Sequence, residues 1–138
     1  MADALRDRRI LIVEDEYLIA SDLAMRLEDM GAVIVGPAPT AKAALALIAT
    51  DHAIDGAILD INLGGTLVYP VADALRTARV PFIFASGYDE IAVPDTYRYV
   101  PRCQKPVDYE ALARTLWRQM DVALTSGPRS EAQARAAP

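Results

Sequence analysis

The chain has 138 residues, a 53% apolar fraction and a formal net charge of -5, which fit one domain with a buried core rather than a disordered chain. There is no basic run to track nucleic acid, and no apolar segment approaches the ~20 residues needed to span a bilayer. The single cysteine, Cys103, and the single histidine, His52, exclude an intrachain disulfide, a histidine-based metal cluster and a Cys/His nucleophile pair, and suit a reducing cytoplasm.

Residues 1–7 read as an extension without the apolar core of a signal peptide, and 8–13 (R-R-I-L-I-V) as a first buried strand running into Glu14-Asp15-Glu16. From 17 to 30 the apolar residues Ile19, Leu23, Leu27 and Met30 have helical spacing, and Gly31 stops the helix. Residues 32–35 make a short second strand closed by Gly36-Pro37. Thr40 is placed to cap a helix through Ala49 that turns Leu45 and Ile48 inward. A third strand starts near Gly56 and ends on Asp60, followed by a loop at Gly64-Gly65. Residues 71–78 form a helix with Leu75 inward, and 80–85 a fourth strand ended by Ser86-Gly87. Pro94 interrupts 88–101, which predicts a short or broken helical turn that moves easily. Residues 100–104 form the fifth strand, leading to Lys105-Pro106. Residues 108–124 form the last helix, on Leu112, Leu116, Met120 and Ala123. The remainder, 125–138, is small, polar and Pro/Ala-rich, and reads as a flexible tail.

Strands alternating with helical segments predict an α/β fold over 8–124. It is a doubly wound, five-stranded parallel sheet of order 2-1-3-4-5, flavodoxin-like. Such folds gather their ligands at the carboxyl ends of the strands, which here carry Glu14-Asp15, Asp60, Ser86 and Lys105. Asp60 at a strand end suits a nucleophile, a metal ligand, or a simple turn cap. Three carboxylates at one edge repel one another and call for a hard divalent cation, for which Mg²⁺ is suited.

Four motifs in order, V-E-D-E (13–16), I-L-D-I-N-L-G-G (58–65), F-A-S-G-Y (84–88) and Q-K-P (104–106), resemble the CheY-like receiver domain of bacterial two-component response regulators. The resemblance spans roughly 8–124. It implies that Asp60 accepts a phosphoryl group and that Glu14, Asp15, Asp60 and the Asn62 backbone carbonyl hold Mg²⁺. It further implies that Ser86 is the switch hydroxyl, that Lys105 binds the phosphate, and that the Lys105–Pro106 bond is cis. The partner implied is a histidine kinase or a histidine phosphotransfer protein, with a downstream protein partner and neither nucleic acid nor membrane.

F-A-S-G-Y, together with V-P-F (80–82) and Y-P-V-A-D-A-L (69–75), is similar to a narrower branch of stand-alone receivers linked to stress-signalling kinases. Ser86 stands where that branch usually has threonine. Arg102 stands where most receivers have an aromatic that rotates on phosphorylation, so the switch is expected in Ser86 and 88–101, with Tyr88, Tyr97 and Tyr99 as candidate replacements. Two other readings remain: a phosphatase-like, Mg²⁺-dependent enzyme using Asp60 as nucleophile, which lacks the second acid of an Asp-x-Asp motif, and a receiver that serves only as a phosphate sink.

Overall fold

The computed structural model describes residues 5–87 and 93–125. Five parallel strands, β1 (Arg9–Val13), β2 (Val33–Ala38), β3 (Gly56–Asp60), β6 (Phe82–Ser86) and β7 (Arg102–Gln104), lie in the order β2-β1-β3-β6-β7. That is the doubly wound order expected from the sequence, with β6 and β7 as the fourth and fifth strands. The intervening β4 (Asn62–Leu63) and β5 (Thr66–Leu67) form a separate antiparallel hairpin. Four helices, α1 (Tyr17–Asp29), α2 (Ala41–Thr50), α3 (Tyr69–Thr77) and α4 (Tyr109–Thr125), complete the described part, with one 3-10 turn at Asp95–Tyr97.

The period-2 alternation of the strands divides the core in two. Leu11, Val13, Ala57, Leu59, Phe82 and Phe84 face α2 and α3, while Ile10, Ile12, Ile58, Ile83 and Ala85 face α1 and α4. Every residue of β3 and β6 is buried. Each large apolar side chain so covered contributes about 1.5–3 kcal/mol, so these two central strands give the site fully buried supports.

The helix ends follow their side chains. Thr40 accepts a hydrogen bond from the Ala43 amide at 3.1 Å, and Asp108 accepts one from the Ala111 amide at 3.1 Å. Gly31 closes α1 at φ +96°, where a Cβ would lie 2.8 Å from the Arg6 Cα.

Several local expectations are corrected. The second strand continues through Gly36-Pro37 to Ala38, the register slipping between Leu11 and Val13. Leu45 points outward and Ala44 is the fully buried residue of α2, because this helix is apolar nearly all round and periodicity alone cannot choose its face. The folded unit begins before Arg8: Leu5 is wholly buried in the α1/α4 core. The turn expected at Gly64-Gly65 is present, and it closes the short β4–β5 hairpin. Of the tail expected over 125–138, Thr125 still belongs to α4 and the rest lies outside the described residues.

Candidate functional site

β1 and β3 pair in register from Ile10↔Gly56 to Val13↔Leu59, which places Glu14 and Asp60 as the next residues off adjacent strand ends. β3 pairs with β6 so that Asp60 sits opposite Ala85, with Ser86 one step beyond. Ser86 pairs with Gln104, which sets Lys105 at the end of the neighbouring strand. Its amide donates to the Ser86 carbonyl at 2.8 Å. Glu14, Asp60 and Ser86 are buried, and Asp15 is exposed. The four strand ends thus bring together Glu14, Asp15, Asp60, Ser86 and Lys105.

The carboxylates of Glu14, Asp15 and Asp60 each offer an oxygen within 4.8 Å of the others. At that spacing, two like charges repel by on the order of 3 kcal/mol at an effective dielectric constant near 20. The Lys105 ammonium lies between two of them, 2.7 Å from Glu14 Oε1 and 3.3 Å from Asp60 Oδ2. Burial alone would lower the lysine's pKa, but the Glu14 hydrogen bond and the Asp60 charge outweigh it and raise the value, so the side chain stays an ammonium. Asp60 goes the other way from the usual carboxylate: burial first, then the Glu14 charge, push its carboxyl up to about 7, against the pull of Lys105. One ammonium does not balance three acids.

The backbone fixes these side chains further. The Glu16 amide donates to Glu14 Oε2 at 3.1 Å, and the Asn62 amide to Asp60 Oδ1 at 3.3 Å. Asn62 Oδ1 is engaged by the Gly65 amide at 2.7 Å, holding the hairpin shut. Gly64 and Gly65 take φ of +62° and +100°, the left-handed pair that a two-residue hairpin turn requires. A Cβ on Gly64 would stand 3.4 Å from Asp15 Oδ2, so the turn forms one wall beside the acidic pair. A cavity of about 290 Å³ opens beside Glu14, Asp60 and Lys105, its remaining lining mostly apolar, with Ile19, Leu23 and Val107 among it.

The donor set fits a hard divalent cation: carboxylate oxygens gathered on a solvent-facing edge, with one acid exposed enough to leave positions for water. The Lys105–Pro106 bond is cis, as is Gly36–Pro37, the latter not foreseen. Arg102 is exposed and brings no ring to the site. Of the tyrosines considered, Tyr88 lies outside the described residues, Tyr99 is 65% exposed, and Tyr97 is buried. The tie from Tyr97 to Asp73 on α3 was missed. Asp73 and Arg76 at i, i+3 were its only trace in the sequence.

No protein-family model matches the chain. Among curated proteins it is similar to the phyllosphere-induced regulator PhyR of Methylorubrum extorquens, 43% identical over 84 residues, which are 59% of this chain and 31% of that protein. The chain therefore spans about a third of that relative's length. Among solved structures it is similar to SdrG from Sphingomonas melonis Fr1, with 41% identity, coverage of 88% of this chain and 98% of that one, and a TM-score of 0.71. A response regulator receiver protein from Sinorhizobium medicae shares the fold at 22% identity and a TM-score of 0.73, over 86% of this chain and 98% of that one. No helix among the described residues is long and apolar enough to cross a membrane.

Proposed function

The chain belongs to the receiver-domain family of two-component response regulators, and on that footing we propose that it accepts a phosphoryl group on Asp60 from a histidine kinase or a histidine phosphotransfer protein. The observation that carries this is the Asp60 carboxylate at a rigid strand end, 3.3 Å from the Lys105 ammonium and grouped with two further acids. Glu14, Asp15, Asp60 and the Asn62 backbone carbonyl would hold Mg²⁺, which when bound offsets the charge of the three carboxylates and of the incoming phosphoryl oxygens.

An Asp60 oxygen attacks phosphorus, the phosphorus–nitrogen bond to the donor imidazole breaks, and the leaving nitrogen keeps the electron pair and takes a proton from solvent. Lys105 stabilises the charge on the transferred group, and the Ser86 hydroxyl donates to one of its oxygens. Output follows by protein contact or by onward transfer. The F-A-S-G-Y motif supports a place in stress signalling. The alternative of a phosphatase-like enzyme is disfavoured because position 62 is an asparagine whose side-chain oxygen is already engaged by Gly65.

Incubation with autophosphorylated histidine kinases and phosphotransfer proteins of the source cell tests the assignment. Mg²⁺-dependent transfer to the wild type and none to Asp60→Asn is expected. Undiminished transfer to the variant overturns it.

A further inference from the structure

Two stretches of chain leave the carboxyl edge and meet again on the α2/α3 side of the sheet. Tyr69 opens α3 shortly after the hairpin that follows Asp60, and Tyr97 ends the 3-10 turn downstream of Ser86. Their rings stack with centroids 5.8 Å apart and planes 12° from parallel. Phe84, two residues before Ser86 and so on the same side of β6, meets both edge-on, at 5.9 Å from Tyr69 and 6.1 Å from Tyr97. The Tyr97 hydroxyl donates to Asp73, and the Arg76 guanidinium lies 4.8 Å from the Tyr97 ring centroid. Burial first, then the Asp73 bond, push the Tyr97 hydroxyl up to about 12, so it remains a donor throughout the physiological range.

We propose that Tyr97, latched to Asp73 and stacked on Tyr69, is the positioning residue that couples a change at Asp60 and Ser86 to the outer face of α3. The inference rests on the reading of Asp60 as phosphoacceptor. Close-packed aromatic rings do not absorb a displacement softly; they shift together or change packing. A pull on Ser86 acts through its strand on Phe84, which touches both tyrosine rings. The hairpin side delivers any movement at Asp60 to Tyr69. Both displacements converge on Tyr97, whose hydroxyl ends on the exposed side of α3. There the Asp73 and Arg76 side chains, 63% and 46% exposed, form a weak ion pair at 4.0 Å. Moving the Tyr97 hydroxyl changes what these two groups present to a partner. The partner that fits is a protein whose surface pairs with a carboxylate and a guanidinium one helical turn apart.

Amide NMR of the full chain with Mg²⁺ and beryllofluoride, a non-transferring mimic of the phosphoryl group, reads the coupling. In the wild type, shifts are expected at Asp60, Ser86 and Lys105 and also at 73–77 and 95–97. In Tyr97→Leu the site shifts and the beryllofluoride affinity should persist, while those at 73–77 fall by about fivefold or more. Tyr97→Phe keeps the ring and loses the latch, and Asp73→Ala removes the acceptor. Both should show the same loss, and both serve if Tyr97→Leu does not fold. Full-size shifts at 73–77 in Tyr97→Phe and Asp73→Ala overturn the coupling and leave the phosphoacceptor reading standing. Absence of any wild-type response at Asp60 and Ser86 overturns both.

Discussion

The two ends of the sheet both carry clustered charge, and they treat it in opposite ways. At the amino end, Arg9 pairs with Asp51, and its own amide donates to Asp55 Oδ2 at 2.8 Å. The Asp51 carboxyl is held below its ordinary range by the Ala53 amide first and then by Arg9. At the carboxyl end, Asp60 is pushed up to about 7, because burial and Glu14 outweigh Lys105. In the first cluster each acid has its own partner, Asp51 the Arg9 guanidinium and Asp55 the Arg9 amide. The second, three acids against one ammonium, is left short of positive charge. A charge deficit that folding tolerates at the ends of β1 and β3 marks the end built to take something from outside, and the end whose acids are each partnered marks a structural clasp.

Removing the ammonium should widen this contrast most. Lys105→Met leaves Glu14 and Asp60 without their cation, and in metal-free buffer should cost about 3 kcal/mol by urea denaturation. Added Mg²⁺ should restore a good part of the loss. A loss that Mg²⁺ leaves untouched would mean that the acids need the lysine for packing rather than for charge.

Neutralising the central acid should act in the opposite direction. A carboxyl raised from 3.8 to about 7 favours the folded state below pH ~4, and that advantage is lost as pH rises towards 7. Asp60→Asn should therefore stabilise the metal-free protein by about 1–2 kcal/mol at pH 8, after allowance for screening by water, and by almost nothing near pH 4. Equal gains at both pH values would show that charge is not the cause. Mg²⁺ should raise the melting temperature of the wild type and not of this variant.

The amino-end clasp should respond least. Arg9→Met loses a partly exposed ion pair, and the Arg9 Nε already lacks a partner among the described residues, so about 1 kcal/mol is expected, with no dependence on Mg²⁺. A Mg²⁺-dependent effect there would break the distinction between the two ends.

The carboxyl end was legible in the sequence because each of its acids or hydroxyls terminates an apolar run that can only be a buried strand. Asp60 follows Ala57-Ile58-Leu59, and Ser86 follows Phe82-Ile83-Phe84-Ala85. Lys105 was legible as the residue that follows the fifth strand and through the resemblance of Q-K-P to receiver domains. What escaped depends on chain segments that no local pattern brings together. The Arg9 clasp joins residues 42 and 46 positions apart. Leu45 could not be told from Ala44 as the inward residue of a helix with apolar residues on every side. The β4–β5 hairpin was hidden because two-residue strands are too short to show alternation. Its Gly64-Gly65 pair was the available signal. Leu5 was passed over because one apolar residue among charges carries no periodicity.

The central claim is that Asp60, at the charge-deficient end, is the atom group that takes the phosphoryl. Incubation with acetyl phosphate and Mg²⁺, reductive trapping of the acyl phosphate and peptide mapping by mass spectrometry test it directly. One modified residue is expected, Asp60, with none when the metal is chelated. Modification at any other residue, or undiminished labelling of Asp60→Asn, would contradict the account.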